Sequence, residues 1–305
     1  MKTRFFTTLF LCFLASGIKL SAQSPALKIT ELNNSDNTVE LIYEKGNPGK
    51  YYIGLEFANA TNCNVSNYNT VISDPAGSIM KIEPIDPAQK VSFSMKYYSI
   101  LGELNPKVDS LFRYVLPFKY RKKINVLETR NVGEKYFEKA NASNWKSYAV
   151  QTETPDTVYS MRKGVVVFVK DEYKDNSVLD ALYTTRRNQV IVEHADGTYA
   201  SYKGFKNNEI FVKVGQTVYP QSELGVIEKY DKTHYRLDFN VYYLTNSHTK
   251  PQNLSARDVT YKFLEPVFYA DEGEIRLYSS KEYTVSINKA ILTKEFTASD
   301  MEKLF

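Results

Sequence analysis

From Asn188 to Tyr202 the chain reads Asn-Gln-Val-Ile-Val-Glu-His-Ala-Asp-Gly-Thr-Tyr-Ala-Ser-Tyr. Val190, Ile191 and Val192 are β-branched, and such side chains favour the pleated backbone. Ala195-Asp196-Gly197 is turn chemistry, in which the glycine supplies positive φ at no steric cost. The stretch is therefore a hairpin: a strand from Asn188 to His194 and a return from Thr198 to Phe205. Its surroundings read the same way. Thr157 to Gly164 leads into Val165 to Val169, a five-residue run of buried-strand character. Val212 to Val218 precedes a tight connection at Pro220 to Gly225, and Tyr235 to Leu244 is a long alternating strand.

Working outward, the first third repeats this grammar. Val39 to Tyr43, Tyr51 to Phe57, Ile79 to Ile82, Val91 to Tyr98 and Phe112 to Leu116 are short apolar runs separated by Gly-, Pro- and Asn-rich turns. Strands at roughly ten-residue spacing predict a small β-sandwich of immunoglobulin-like type over residues 23–120. Residues 121–143 read as a polar linker, 144–246 as a second β-sheet core, and 247–305 as an extension. In the extension, Lys262 to Tyr269 and Ile275 to Tyr283 read as strands, and Ala298 to Phe305 as a short helix capped by its own Ser299-Asp300. The fold class is all-β.

The chain has 305 residues, about twice the usual domain length, which agrees with two folded units. Hydrophobic residues make up 43% and charged residues 24%, which excludes a disordered or collagen-like chain. At the N-terminus Lys2 and Arg4 precede the apolar run Phe5 to Ala15 and the small-residue exit Leu20-Ser21-Ala22. That is the layout of a secretory signal over residues 1–22, too short in its apolar part to span a membrane. Removing Lys2, Arg4 and Lys19 from the 39 basic residues leaves one more base than the 35 acids. A near-neutral chain argues against nucleic acid as partner. No later segment reads as transmembrane, so the expected location is periplasmic or extracellular. Cys63 is then the sole thiol, without a disulfide partner or a nearby base, and reads as a packed side chain.

Four segments of the second core carry a resemblance to a known family. Val158 to Val166, Asn188 to Tyr202, Val212 to Gly225 and Arg236 to Val241 resemble, in order and spacing, the sheet of the M23 (lysostaphin/LytM-type) peptidases. The resemblance implies a duplicated-hybrid-motif antiparallel sheet, as in secreted Bacteroidetes proteins that carry a sandwich in front. It also implies zinc chemistry. Family enzymes bind one zinc through the His and Asp of an H-x-x-x-D motif and the second His of an H-x-H strand. A loop His and the first His of H-x-H assist the attacking water. Such a catalytic zinc needs three His or carboxylate ligands and an open position.

Laid on that pattern, this sequence places Trp145 and Ala149 at the H-x-x-x-D positions, Gly204 at the loop His, and Arg236 and Asp238 at the H-x-H pair. Of these only Asp238 can ligate a metal, and Arg236 is a permanent cation. The expectation is a degenerate catalytic centre with no cofactor, lined by Tyr202, Arg236, Asp238 and His234. A rebuilt zinc site from His194, His234 and Asp238 is the competing arrangement, and would restore an active endopeptidase of cell-wall peptides. The favoured reading is a secreted, non-catalytic envelope protein. Its partner would be a peptidoglycan peptide or another cell-envelope protein such as a cell-wall hydrolase.

Overall fold

The computed structural model describes residues 27–128, 145–174, 186–246 and 259–304. The signal reading at 1–22 lies outside these, as does most of the expected linker. The described residues are almost wholly strands: β1 (Leu27–Asn33), β2 (Val39–Lys45), β3 (Tyr51–Thr61), β4 (Tyr68–Ile72), β5 (Ala76–Ile82) and β6 (Ser92–Leu101) come first. They form two three-stranded antiparallel sheets, β1-β2-β5 and β4-β3-β6. First, second and fifth strands facing third, fourth and sixth is an immunoglobulin-like arrangement. Alternate residues point inward, so Leu41, Tyr43, Ile53, Leu55, Ile72 and Ile82 meet in one core between the sheets. Each such aliphatic side chain contributes about 1.5–3 kcal/mol by leaving water. Cys63 is buried in the same core.

Two of these strands are not evident in the sequence. β1 buries only its first residue, and β4 follows the Asn-rich stretch without a clean period of two. Phe112 to Leu116 differs more. It does not close the sandwich: β7 (Arg113–Val115) belongs to the second core, where Phe112, Tyr114 and Leu116 pack with Phe268.

The second core continues through β8 (Lys123–Glu128), β9 (Tyr148–Thr152), β10 (Thr157–Tyr159), β11 (Gly164–Lys170), β12 (Asn188–Glu193), β13 (Tyr199–Ile210), β14 (Thr217–Val218), β15 (Glu223–Ile227) and β16 (Tyr235–Asn246). After it come β17 (Val259–Phe263), β18 (Val267–Ala270), β19 (Gly273–Ile275) and β20 (Lys281–Thr284), then the helical turns α1 (Lys289–Leu292) and α2 (Ala298–Leu304). The main sheet runs β14-β11-β12-β13-β16-β9-β8-β20, with β17 on β16 and β15 joining β10 to β13. The quoted hairpin forms as read. His194 N donates to Thr198 O at 2.8 Å and Gly197 takes φ +78°.

The start of the stretch read as a connector is a strand, because Ile124 and Val126 alternate inward and are buried between β9 and β20. The two strands expected after residue 258 are four. Pro266 ends one β-run, and a turn at Asp271-Glu272-Gly273, with Gly273 at φ +91°, splits the next. β18 pairs in parallel with β7, and its Phe268 and Ala270 belong to the second core. α2 is capped by Thr297 rather than Ser299. Asp300 N donates to Thr297 Oγ1 at 3.2 Å while Asp300 Oδ2 accepts from Thr297 N at 2.7 Å, a reciprocal capping box.

Candidate functional site

Strand β16 alternates Arg236, Leu237, Asp238, Phe239. Leu237 and Phe239 are buried in the core, so Arg236 and Asp238 must face the other way. The register fixes their neighbours. Arg236 lies opposite Gln151 on β9, and Asp238 lies between Ala149 on β9 and Lys203 on β13. Ser147, Ala149 and Gln151 therefore share the face of Asp238, and neither Trp145–Ala149 nor Ser147–Gln151, pairs with the H-x-x-x-D spacing, contains His or Asp. Trp145 itself packs on Phe263, with ring centroids 4.6 Å apart.

Asp238 is gripped from two sides. Arg236 Nε and Nη2 donate to its Oδ1 at 3.0 and 2.6 Å, and Arg187 Nη1 donates to its Oδ2. Arg187 Nη2 also donates to the Arg236 carbonyl. The Tyr230 ring faces both guanidiniums, 4.6 Å from the Arg236 carbon and 5.3 Å from that of Arg187. The side chains of Arg187, Arg236 and Asp238 are only 7%, 13% and 18% exposed, so these charge-assisted bonds are poorly screened.

Arg187 is positioned by its neighbour. Asn188 is fully buried, accepts from the Glu172 and Tyr173 amides at 3.0 and 2.9 Å, and donates to the carbonyls of Tyr173 and Phe205. These bonds pin the start of β12 and leave Arg187 at the edge of the face. Gly204 gives it room: at φ +111°, a Cβ there would collide with Arg187 Nη2 and the Arg236 carbonyl. Lys203 stands beside them, still open to solvent. Crowding by the protein, with the Arg187 charge adding to it, lowers the pKa of its ammonium.

Two sequence expectations change. Tyr202 does not line this face. It alternates to the opposite side of β13, is fully buried, and its hydroxyl accepts from Met161 N at 2.9 Å. His234 precedes β16 in a turn closed on Asp231, whose carboxyl is pushed down to about 2 mainly by the amide bonds of Thr233 and His234. His194 is buried at the hairpin with its Nδ1 2.9 Å from Thr198 Oγ1. His194, His234 and Asp238 thus hold three separate places, and no cluster of three or more His, Cys, Asp or Glu exists among the described residues.

The residues at the zinc positions do not fit the ion. Asp238 is the one ligand-type side chain there, its two oxygens are already bonded to guanidiniums, and a divalent cation would sit against two fixed positive charges.

Residues 143–253 match the model of Peptidase family M23. This segment is similar to that family. Solved structures similar to the chain include the SpoIIQ–SpoIIIAH pore-forming complex, at 20% identity over 44% of this chain and 85% of that one (TM-score 0.28). A putative glycyl-glycine endopeptidase LytM from Ruminococcus gnavus is 13% identical over 48% of this chain and 57% of its own (TM-score 0.30). The M23 metalloprotease pseudoalterin from the deep sea is 11% identical over 56% of this chain and 98% of its own (TM-score 0.32). No curated protein matches the chain. Within the M23 segment, Arg187 is the functional candidate that motif reading passes over. The dibasic Arg186-Arg187 just before a strand is its only local signal.

Proposed function

We propose that this chain is a secreted cell-envelope protein whose M23 core binds a partner and does not hydrolyse it. The supporting observation is the double guanidinium grip on Asp238, which sets a compact polar ion cluster where the family pattern calls for zinc and imidazoles. Asp238 holds the two arginines in fixed orientation, and Lys203 adds an exposed ammonium beside them. The exposed Lys203 ammonium, backed by the positive field of the two guanidiniums, attracts the carboxylates of an acidic segment. The partner is therefore read as a peptidoglycan peptide or an envelope protein, such as a cell-wall hydrolase, presenting an acidic segment.

The test is elemental analysis of the purified protein together with hydrolysis of a Gly-rich cross-bridge peptide. We expect no stoichiometric zinc and no chelator-sensitive cleavage. Binding of cell-wall peptide or purified sacculi should weaken about tenfold in Arg236→Ala, the usual scale for losing one charged contact. One tightly bound zinc per chain with chelator-sensitive cleavage would establish the endopeptidase instead.

A further inference from the structure

A second site lies away from the Arg187–Asp238 cluster. An open cleft of about 560 Å³ is lined by the β2–β3 connection at Gly49 and Lys50, by the β11 and β12 segments carrying Gly164 and Glu193, and by Asp300 and Lys303 of α2. Its size is that of a small-molecule pocket, and it lies where three parts of the chain meet, a usual place for one.

Most of its charges are committed. Lys163 Nζ bonds Asp300 Oδ2 at 2.6 Å and the Glu295 carbonyl at 3.0 Å. Glu295 is held by Arg162, and Lys50 Nζ pairs with Glu103. Two charges remain. Glu193 accepts from Tyr199 Oη at 2.8 Å and from the Lys50 amide at 3.3 Å, but has no ion-pair partner among the described residues. A carboxylate offers about four acceptor sites, so half of its capacity is unused. Burial pushes the Glu193 carboxyl above the usual carboxylate range, even with the Lys50 and Lys45 ammoniums nearby. Lys303, exposed on α2, has no ion pair or hydrogen bond among the described residues.

A cleft with one uncommitted carboxylate and one uncommitted ammonium complements a molecule carrying one of each. We propose that it binds a small zwitterion, an amino acid or short peptide with free termini, whose ammonium pairs with Glu193 and whose carboxylate pairs with Lys303. This does not rest on the reading of the Arg187–Asp238 face.

The probe is trialanine, titrated calorimetrically into the purified protein beside its N-acetyl and C-amide forms. Trialanine should bind, and each blocked form should bind about tenfold more weakly, as losing a charged contact costs. Glu193→Gln should reproduce the effect of acetylation and Lys303→Met that of amidation. Because Glu193 also receives the Lys50 amide, Lys303→Met and the blocked peptides on the unaltered chain carry the test if Glu193→Gln unfolds. No heat with trialanine, or equal affinity for the blocked forms, overturns the proposal. So does binding abolished by Arg236→Ala but kept in Lys303→Met, which would place the peptide on the other face.

Discussion

Asp238 is the residue on which the candidate face depends. Its carboxylate is the shared acceptor for Arg187 and Arg236, and all three side chains are largely buried. Removing one partner of such a cluster leaves charge desolvated and unpaired, which costs more than the pair contributes when intact. Asp238→Ala should therefore destabilise the protein by roughly 2–4 kcal/mol, somewhat under the fully buried case because some solvent reaches the site. Urea unfolding followed by tyrosine fluorescence measures this. A loss under about 1 kcal/mol would mean that water solvates both guanidiniums, as at a surface ion pair. The outward aim of Arg236 and Asp238 was readable from strand alternation alone. The role of Arg187 was not, because its partner is 51 positions away and only the pairing of β12, β13 and β16 brings them together.

At the scale of elements, legibility followed local periodicity. The Asn188–Phe205 hairpin and β16 carry clean alternation and turn chemistry, and they formed where read. β8 failed to announce itself because only Ile124 and Val126 face inward amid polar neighbours. Phe112 to Leu116 reads identically whichever core receives it, and its partner β18 is supplied from the far end of the chain. α2 shows what such a late element contributes. It is seven residues long, too short to stand alone, and is held by its Thr297–Asp300 box and by Asp300 to Lys163 and to Tyr219 Oη, each at 2.6 Å. Thr297→Ala removes the cap, a change costing about 1 kcal/mol, so opening of α2 should become roughly fivefold more frequent. Hydrogen exchange of the 298–304 amides reads that directly. Unfolding of the second core should stay unchanged. If exchange at α2 accelerates only together with core strands, the helix opens with the whole molecule and the cap is not its separate lock.

The whole molecule has a pH dependence built around one buried ring. His194 is 2% exposed at the end of the central hairpin, its ring centroid 5.9 Å from that of Tyr114. Arg162 lies beside the same hairpin, bonding Asp196 at 2.9 Å and Glu295 of the C-terminal segment at 2.6 Å, with its guanidinium 3.7 Å from the Phe112 ring centre. Burial above all, and then the Arg162 charge, lowers the His194 pKa to about 3 against the opposing pull of Asp196. In the unfolded chain the imidazole protonates near its ordinary value of about 6.5. Between those two values the unfolded state binds a proton that the folded state refuses, so unfolding takes up protons and stability falls as pH falls. The slope from this one group is at most about 1.4 kcal/mol per pH unit, present below about pH 6.5 and absent above it. His194→Gln keeps a polar group for Thr198 and removes the titration. Urea stability measured from pH 7 to pH 4 should therefore drop by about 3 kcal/mol more in the natural chain than in the variant, while the two curves run parallel above pH 7. Carboxylates common to both proteins cancel in that difference, which isolates the histidine. Curves parallel over the whole range would show that His194 accepts its proton while folded. Asp196 would then be its dominant partner, outweighing burial and Arg162, and the folded hairpin would hold the imidazolium as easily as the unfolded chain does.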